Sequence, residues 1–199
     1  MSDDRKPRRW AMPLAILAGL ALGLGSAWWV MVKAGGRGIE VRGWSGSAAT
    51  GSADADPWTR AQVAVRGLLA LTKDQAIYLT ARTDAAGRRL REECRYRVSG
   101  GPLPGRWWSV TVYAADNYLP RNHDDALSFD ATEVTPDAQG RWTAQLGPSP
   151  EGGGAWASTR NAGTFDVTLR IYNPTPAAQA DYRTIPVPRI DRLSCGARA

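Results

Sequence analysis

The chain has 199 residues, a net charge of +6 and 43% hydrophobic residues. Two cysteines and one histidine cannot build a zinc cage. Charge argues against nucleic acid as well: residues 1–33 hold five basic and two acidic residues, leaving 20 and 17, well mixed, for the remainder, which is a solvated surface rather than a phosphate-binding stripe.

The basic cluster Arg5, Lys6, Arg8 and Arg9 precedes a run without charge from Trp10 to Val32. About 22 residues, 11–32, are enough to cross a hydrocarbon core as a helix. Pro13 falls in the first turn, where its missing N–H costs little. Trp10, Trp28 and Trp29 lie where indoles favour the headgroup boundary. The positive flank predicts a cytoplasmic tail, residues 1–10, and in a Gram-negative cell a single-pass inner-membrane protein whose remainder is periplasmic. The rival is a cleaved leader, with Gly25-Ser26-Ala27 as the small-residue site; the apolar run beyond it favours an uncleaved signal-anchor. Small residues at Ala11, Ala15, Gly19, Gly23 and Ala27 form one stripe, a candidate face for a helix dimer, notably through Ala15, Gly19 and Gly23.

Residues 33–56, rich in Gly, Ser and Ala, read as a flexible tether with room for one short strand around 39–44. Residues 57–199 are long enough for one domain with its own core. Pro57 opens an amphipathic helix to Ala70, with Ala61, Ala64, Val65, Leu68 and Leu69 on the face that packs on a sheet. The period then becomes two. Residues 76–82 form a strand, 83–87 turn, and 90–98 return. A Gly/Pro loop at 100–105 leads into the strand 107–114. A polar loop at 117–125 follows, and segments 126–134 and 141–146 pair around 136–140. Residues 148–154 are loose. In 164–172, Phe165, Val167, Leu169 and Ile171 alternate with Thr164, Asp166, Thr168, Arg170 and Tyr172, so one face is buried and one wet. The proline-bearing tail reads as extended. The sum is a mainly β fold: an antiparallel β-sandwich or jelly-roll-like domain with one packed amphipathic helix, preceded by a transmembrane helix. In an oxidising periplasm Cys94 and Cys195 are expected to pair, closing a loop of about 100 residues.

Residues in order then resemble a known family: Pro57-Trp58-Thr59-Arg60-Ala61, Tyr78, Asp84, Gly87, Leu90, Tyr96, Trp108 to Tyr113, Asn122, Ser128, Trp156, Leu169 to Pro174, Pro188-Arg189-Ile190 and Cys195. The resemblance is to DUF1214, a bacterial domain of unknown function, in a short, membrane-anchored form, and covers nearly all of 43–199. Its most specific parts are the Trp-Ser-x-Thr-x-Tyr and Arg-x-Tyr-x-Pro strands. Trp156 is followed by Ala157-Ser158 where the family usually has Leu-Pro, and Gly152-Gly153-Gly154 lies nearby. The resemblance implies a largely β domain and, in longer relatives, an attached companion domain. It implies no reaction.

Chemistry is sparse. His123, the single histidine, sits in Asn122-His123-Asp124-Asp125 and reads as part of a solvated loop rather than a base or ligand. Asp116, Asn117, Asp124 and Asp125 match no EF-hand spacing, so no metal is expected. The adjacent pairs Glu92-Glu93 and Asp124-Asp125 face opposite ways on a strand and suit no glycosidase. No nucleophile elbow or phosphate loop occurs, and nothing calls for a cofactor. Five residues, Tyr113, Asn122, Trp156, Arg170 and Tyr172, are the candidate ligand-binding set. If the strands of Tyr113 and Arg170 neighbour each other, a guanidinium between phenols receives an anion or a sugar; cross-strand pairing for stability is the competing reading. Two functions remain: an anchored envelope module binding a glycan or a protein that carries the companion domain, or a hydrolase or lyase of envelope polysaccharide. The second requires a deep pocket with two facing carboxyls.

Overall fold

The structure, a computed structural model, describes residues 10–33, 38–52, 54–65 and 71–196. The basic cluster 5–9, Arg37 and the expected helix end 66–70 lie outside the described residues. The chain divides into two compact units at Arg37/Gly38.

The first unit is helix α1 (Ala11–Lys33). Its side chains are exposed from Ala11 to Trp29, including Ala15, Gly19 and Gly23. The 19 residues Ala11–Trp29 are long and apolar enough to cross a membrane. An exposed apolar helix of this length fits an anchor or a signal sequence.

The second unit is a sandwich of two sheets. Its elements are β1 (Ile39–Val41), β2 (Trp44–Gly46), α2 (Pro57–Val65), β3 (Ala76–Ala81), β4 (Cys94–Gly100), β5 (Gly105–Ala114) and β6 (Ser128–Asp130). They are followed by β7 (Trp142–Gly147), β8 (Trp156–Ser158), β9 (Phe165–Pro174), α3 (Pro176–Ala180), a 3-10 turn (Tyr182–Thr184) and β10 (Arg189–Cys195). The larger sheet runs β1-β2-β3-β9-β5-β6 and the smaller β10-β4-β7-β8. Every pairing is antiparallel except β7 with β8.

Strand β9 sits between β3 and β5 because its alternation is complete. Phe165, Val167, Leu169 and Ile171 are fully buried, each contributing about 1.5–3 kcal/mol relative to exposure. Facing them, Tyr96 of β4 meets Phe165 edge-on at 5.9 Å. Trp108 of β5 stacks on Trp142 of β7 at 4.5 Å. These contacts fuse the two inner faces into one core. The opposite face of β9 is less wet than alternation predicts. Thr168 and its cross-strand neighbour Thr111 are buried, roofed by longer neighbours on the same face.

Several expectations change. The stretch read as a tether holds a β1–β2 hairpin, and β2 pairs with β3. The reason is Trp44, which is buried and donates its indole N–H to the Pro188 carbonyl at 2.7 Å. Helix α2 starts at Pro57 as expected, with Asp56 as its cap: the Asp56 carboxylate accepts from the amides of Trp58 and Thr59 and from the Thr59 hydroxyl. The segment expected to return beside β3 instead crosses to the other sheet as β4, beginning at Cys94 rather than Leu90. Likewise β6 and β7 are not a hairpin: Phe129 and Trp142 meet edge-on across the core at 6.1 Å, one from each sheet. Strand β8 has no counterpart among the expected elements, because three residues carry too little pattern to signal a strand. The tail turns helical at α3, where Thr175 caps and Pro176 occupies the first turn. The expected disulfide is present: Cys94 and Cys195 are direct cross-strand partners of β4 and β10, 101 residues apart in sequence.

Candidate functional site

Strands β5 and β9 are neighbours, so the candidate row on the outer face of the larger sheet is assembled. Arg170 stands opposite Ser109 on one side and Tyr78 on the other. From there its guanidinium reaches along β5: Nη1 donates to the Thr111 hydroxyl at 2.8 Å and Nη2 to the Tyr113 hydroxyl. It also lies 5.5 Å from the centre of the Tyr113 ring, within cation–π range. Tyr172 packs on Trp107, its direct partner across β5, with ring centroids 5.1 Å apart. Three of the five expected residues, Tyr113, Arg170 and Tyr172, thus share one face.

The electrostatics of this face are uneven. Asp166, two turns of the pleat from Arg170, lies between Arg82 at 3.1 Å and Arg89 at 2.7 Å. Arg170 is half-buried, and its partners are neutral hydroxyls; among the described residues no carboxylate forms an ion pair with it. A partly desolvated guanidinium without an anion retains full charge and attracts one.

The other two expected residues lie elsewhere. Asn122 braces its loop onto the smaller sheet: its amide donates to the Arg160 carbonyl at 2.8 Å, and its oxygen accepts from the Asp124 amide at 3.1 Å. Asp124 in turn accepts from the hydroxyl of fully buried Ser158 at 2.6 Å and faces Arg160 at 3.3 Å. Trp156 begins β8 and donates its indole N–H to the Gly147 carbonyl at 3.0 Å. Both residues are engaged in holding β8 in place. The neighbouring glycines 152–154 all adopt positive φ, giving the loop that leads into β8 a backbone path closed to most side chains.

His123 is exposed between these loop residues. Asp116 accepts from the Tyr118 amide. Among the described residues no three acidic, histidine or cysteine side chains gather where a metal ion is held. Glu92 accepts from the Gly163 amide and Glu93 pairs with Arg91, so this adjacent acidic pair serves loop closure.

A second polar centre is built on Asp84, which the sequence offers only as part of the family motif. Asp84 is buried, and its carboxylate accepts from the amides of Ala86 and Arg88 and from the Arg88 guanidinium. The Arg192 guanidinium lies 3.1 Å away. Burial pushes the Asp84 carboxyl up, but the Arg88 and Ala86 hydrogen bonds and the Arg88 charge outweigh it and hold it below the usual range. Arg192 also covers the ring of Tyr96, 5.5 Å from its centre. Desolvation raises the Tyr96 hydroxyl, partly offset by its hydrogen bond from the Arg91 amide. The position of Asp84 in a turn, four residues before Arg88, is the signal that marks this bracket. One cavity, about 370 Å³, is lined by the β1–β2 turn, the Asp84 turn and residues 187–190; another, about 750 Å³ and open, lies beside Trp142 and Asp137. Each has one carboxylate facing it that an arginine already engages, Asp84 by Arg88 and Asp137 by Arg141, whereas the polysaccharide-cleaving alternative calls for two facing carboxyls.

The profile of the family described as protein of unknown function (DUF1214) matches residues 75–176. The chain belongs to the DUF1214 family. That span runs from the start of β3 to the start of α3 and so contains the central strands of both sheets. The DUF1214 fold is shared with the VPA0106 protein from Vibrio parahaemolyticus, at 22% identity and a TM-score of 0.57, over 71% of this chain and 36% of that one. An uncharacterised protein from Burkholderia cenocepacia aligns at 21% identity and a TM-score of 0.39, over 63% of this chain and 31% of that one. The aligned part of the chain therefore spans about a third of the length of these proteins. No curated protein matches it.

Proposed function

We propose that this DUF1214 chain is an anchored, non-enzymatic module of the bacterial envelope that recognises a partner through the outer face of its larger sheet. In this reading α1 is an uncleaved inner-membrane anchor, the basic tail is cytoplasmic and the sandwich is periplasmic. The charge order around the helix and the Cys94–Cys195 bond support that address.

The observation that carries the binding role is Arg170. Among the described residues its half-buried guanidinium hydrogen-bonds to hydroxyls and to no carboxylate, and it lies on the same strand as Tyr172, which pairs with Trp107. Arg, Tyr and Trp are the residue types that concentrate at recognition surfaces, and such a charge gains from an incoming carboxylate. The partner favoured is a protein carrying what the relatives, about twice this chain's length, hold outside the shared fold.

The test is crosslinking in living cells with a photoreactive phenylalanine analogue at Trp107, and at Arg97 on the exposed side of the smaller sheet as control. A discrete crosslinked protein is expected from position 107 and not from 97. It should vanish in Arg170→Met, a change expected to leave unfolding free energy within about 1 kcal/mol. A product that muramidase digestion collapses would make the partner a glycan. Equal crosslinking at both positions, or persistence in Arg170→Met, overturns the proposal.

A further inference from the structure

We infer that the 370 Å³ cleft at one end of the sandwich is a binding site for a small apolar monocarboxylate, independent of the sheet face above. The cleft is formed where the Arg42-Gly43 turn, the Thr83–Ala85 turn and residues 187–190 converge. Its walls include Trp44, Ala81, Val187 and Ile190, all buried apolar residues, so its interior favours a hydrocarbon body. At about 30 Å³ per water-sized group, the volume of about 370 Å³ holds on the order of a dozen heavy atoms.

Arg42 supplies the specific signal. Val41 pairs with Trp44, which leaves Arg42 and Gly43 as a two-residue hairpin turn. Both have positive φ, 48° and 84°. The first position of such a turn favours Asn, Asp or Gly. An arginine there holds its backbone in a region that L-residues with long side chains rarely adopt. Nothing within the fold compensates it: Arg42 is exposed and has no hydrogen bond or ion pair among the described residues. The rest of the rim is balanced differently. Arg189 is held by both oxygens of Asp191, at 2.8 and 2.9 Å. Asp84, which also lines the cleft, lies between Arg88 and Arg192, two positive charges against one negative. The cleft therefore carries an excess of positive charge with Arg42 unspent, beside apolar walls. A carboxylate bound by the Arg42 fork, with its hydrocarbon part against Trp44 and Val187, satisfies both.

The test titrates the full chain, in zwitterionic nanodiscs, with 4-phenylbutyrate, 4-phenylbutanol and acetate, following backbone amide shifts. Saturable shifts at Gly43, Thr83, Ala85 and Ile190 are expected with 4-phenylbutyrate, at least about tenfold weaker with the alcohol or with acetate. Arg42→Asn suits the turn, so it is expected to raise the melting temperature while weakening 4-phenylbutyrate about tenfold or more. Arg42→Asp, also compatible with the turn, is expected to abolish binding. The inference is overturned by lack of saturation at about 10 mM, by equal binding of the alcohol, by unchanged affinity in either variant, or by a lower melting temperature in Arg42→Asn.

Discussion

Replacing Cys195 with serine isolates what the disulfide contributes. Cys195 is exposed whereas Cys94 is fully buried, so Cys195→Ser removes the bond with no hole at its own site. The bond spans 101 residues, for which the loss of loop-closure entropy in the unfolded chain amounts to about 4.7 kcal/mol at 25 °C. That is comparable with the whole net stability, about 5–15 kcal/mol, of a typical domain. The loss should appear first in β10, an edge strand that pairs with β4 alone. Cys94→Ser should cost about 1–3 kcal/mol more, because its hydroxyl is placed in the core without a designed partner. The assay is urea unfolding of the full chain in nonionic micelles, followed by tryptophan fluorescence, with amide exchange locating the first segment to open. Thiol alkylation in cells should find neither cysteine reactive in the wild type. A Cys195→Ser protein within about 1 kcal/mol of wild type, or one that opens elsewhere before β10, refutes the reasoning.

Asp84 should set the acid side of stability. Its carboxyl is held below the usual range in the folded protein, so it adds stability above the unfolded value near ~3.9 and loses that contribution as pH falls through the folded value. Asp84→Ala, which leaves Arg192 unpaired in a largely buried place, should cost about 3 kcal/mol at pH 7; in unfolding titrations the gap to wild type should narrow below about pH 4. Adjacent glycines should behave oppositely. A Cβ on Gly100 would strike the Trp142 ring, while one on Gly101 meets nothing; Gly100→Ala should lose about 1–3 kcal/mol in thermal or urea unfolding and Gly101→Ala almost none.

Long alternating segments were legible because a half-buried strand has no other way to read. Residues 165–172 and 107–114 carry enough period-two signal to fix their inward faces, and the disulfide followed from having one possible pair. Connectivity was less legible. Neither β3 and β4 nor β6 and β7 form hairpins, because each pair is divided between sheets by side chains that pack across the core, such as Phe129 on Trp142. The hairpin at 39–46 was hidden in a Gly/Ser-rich background, since one tryptophan and a bond to Pro188, 144 residues away, secure it. In the candidate set, Tyr113, Arg170 and Tyr172 came together because they share strand parity on adjacent strands. Asn122 and Trp156 did not, since their positions depend on loops whose geometry leaves no periodic trace. The Arg42 cleft draws on three distant stretches of chain and had no local signature.

The middle strand of the larger sheet is manufactured late. On the ribosome β3 emerges about 90 residues before β9, and at about 5–20 residues per second it waits roughly 4–18 s for its partner. During that interval one border of β3 and one of β5 lack the strand that will join them. Nascent borders of this kind recruit other chains. Any helper that shields this chain during biogenesis therefore has a defined target and a defined moment of release, the arrival of residues 165–174.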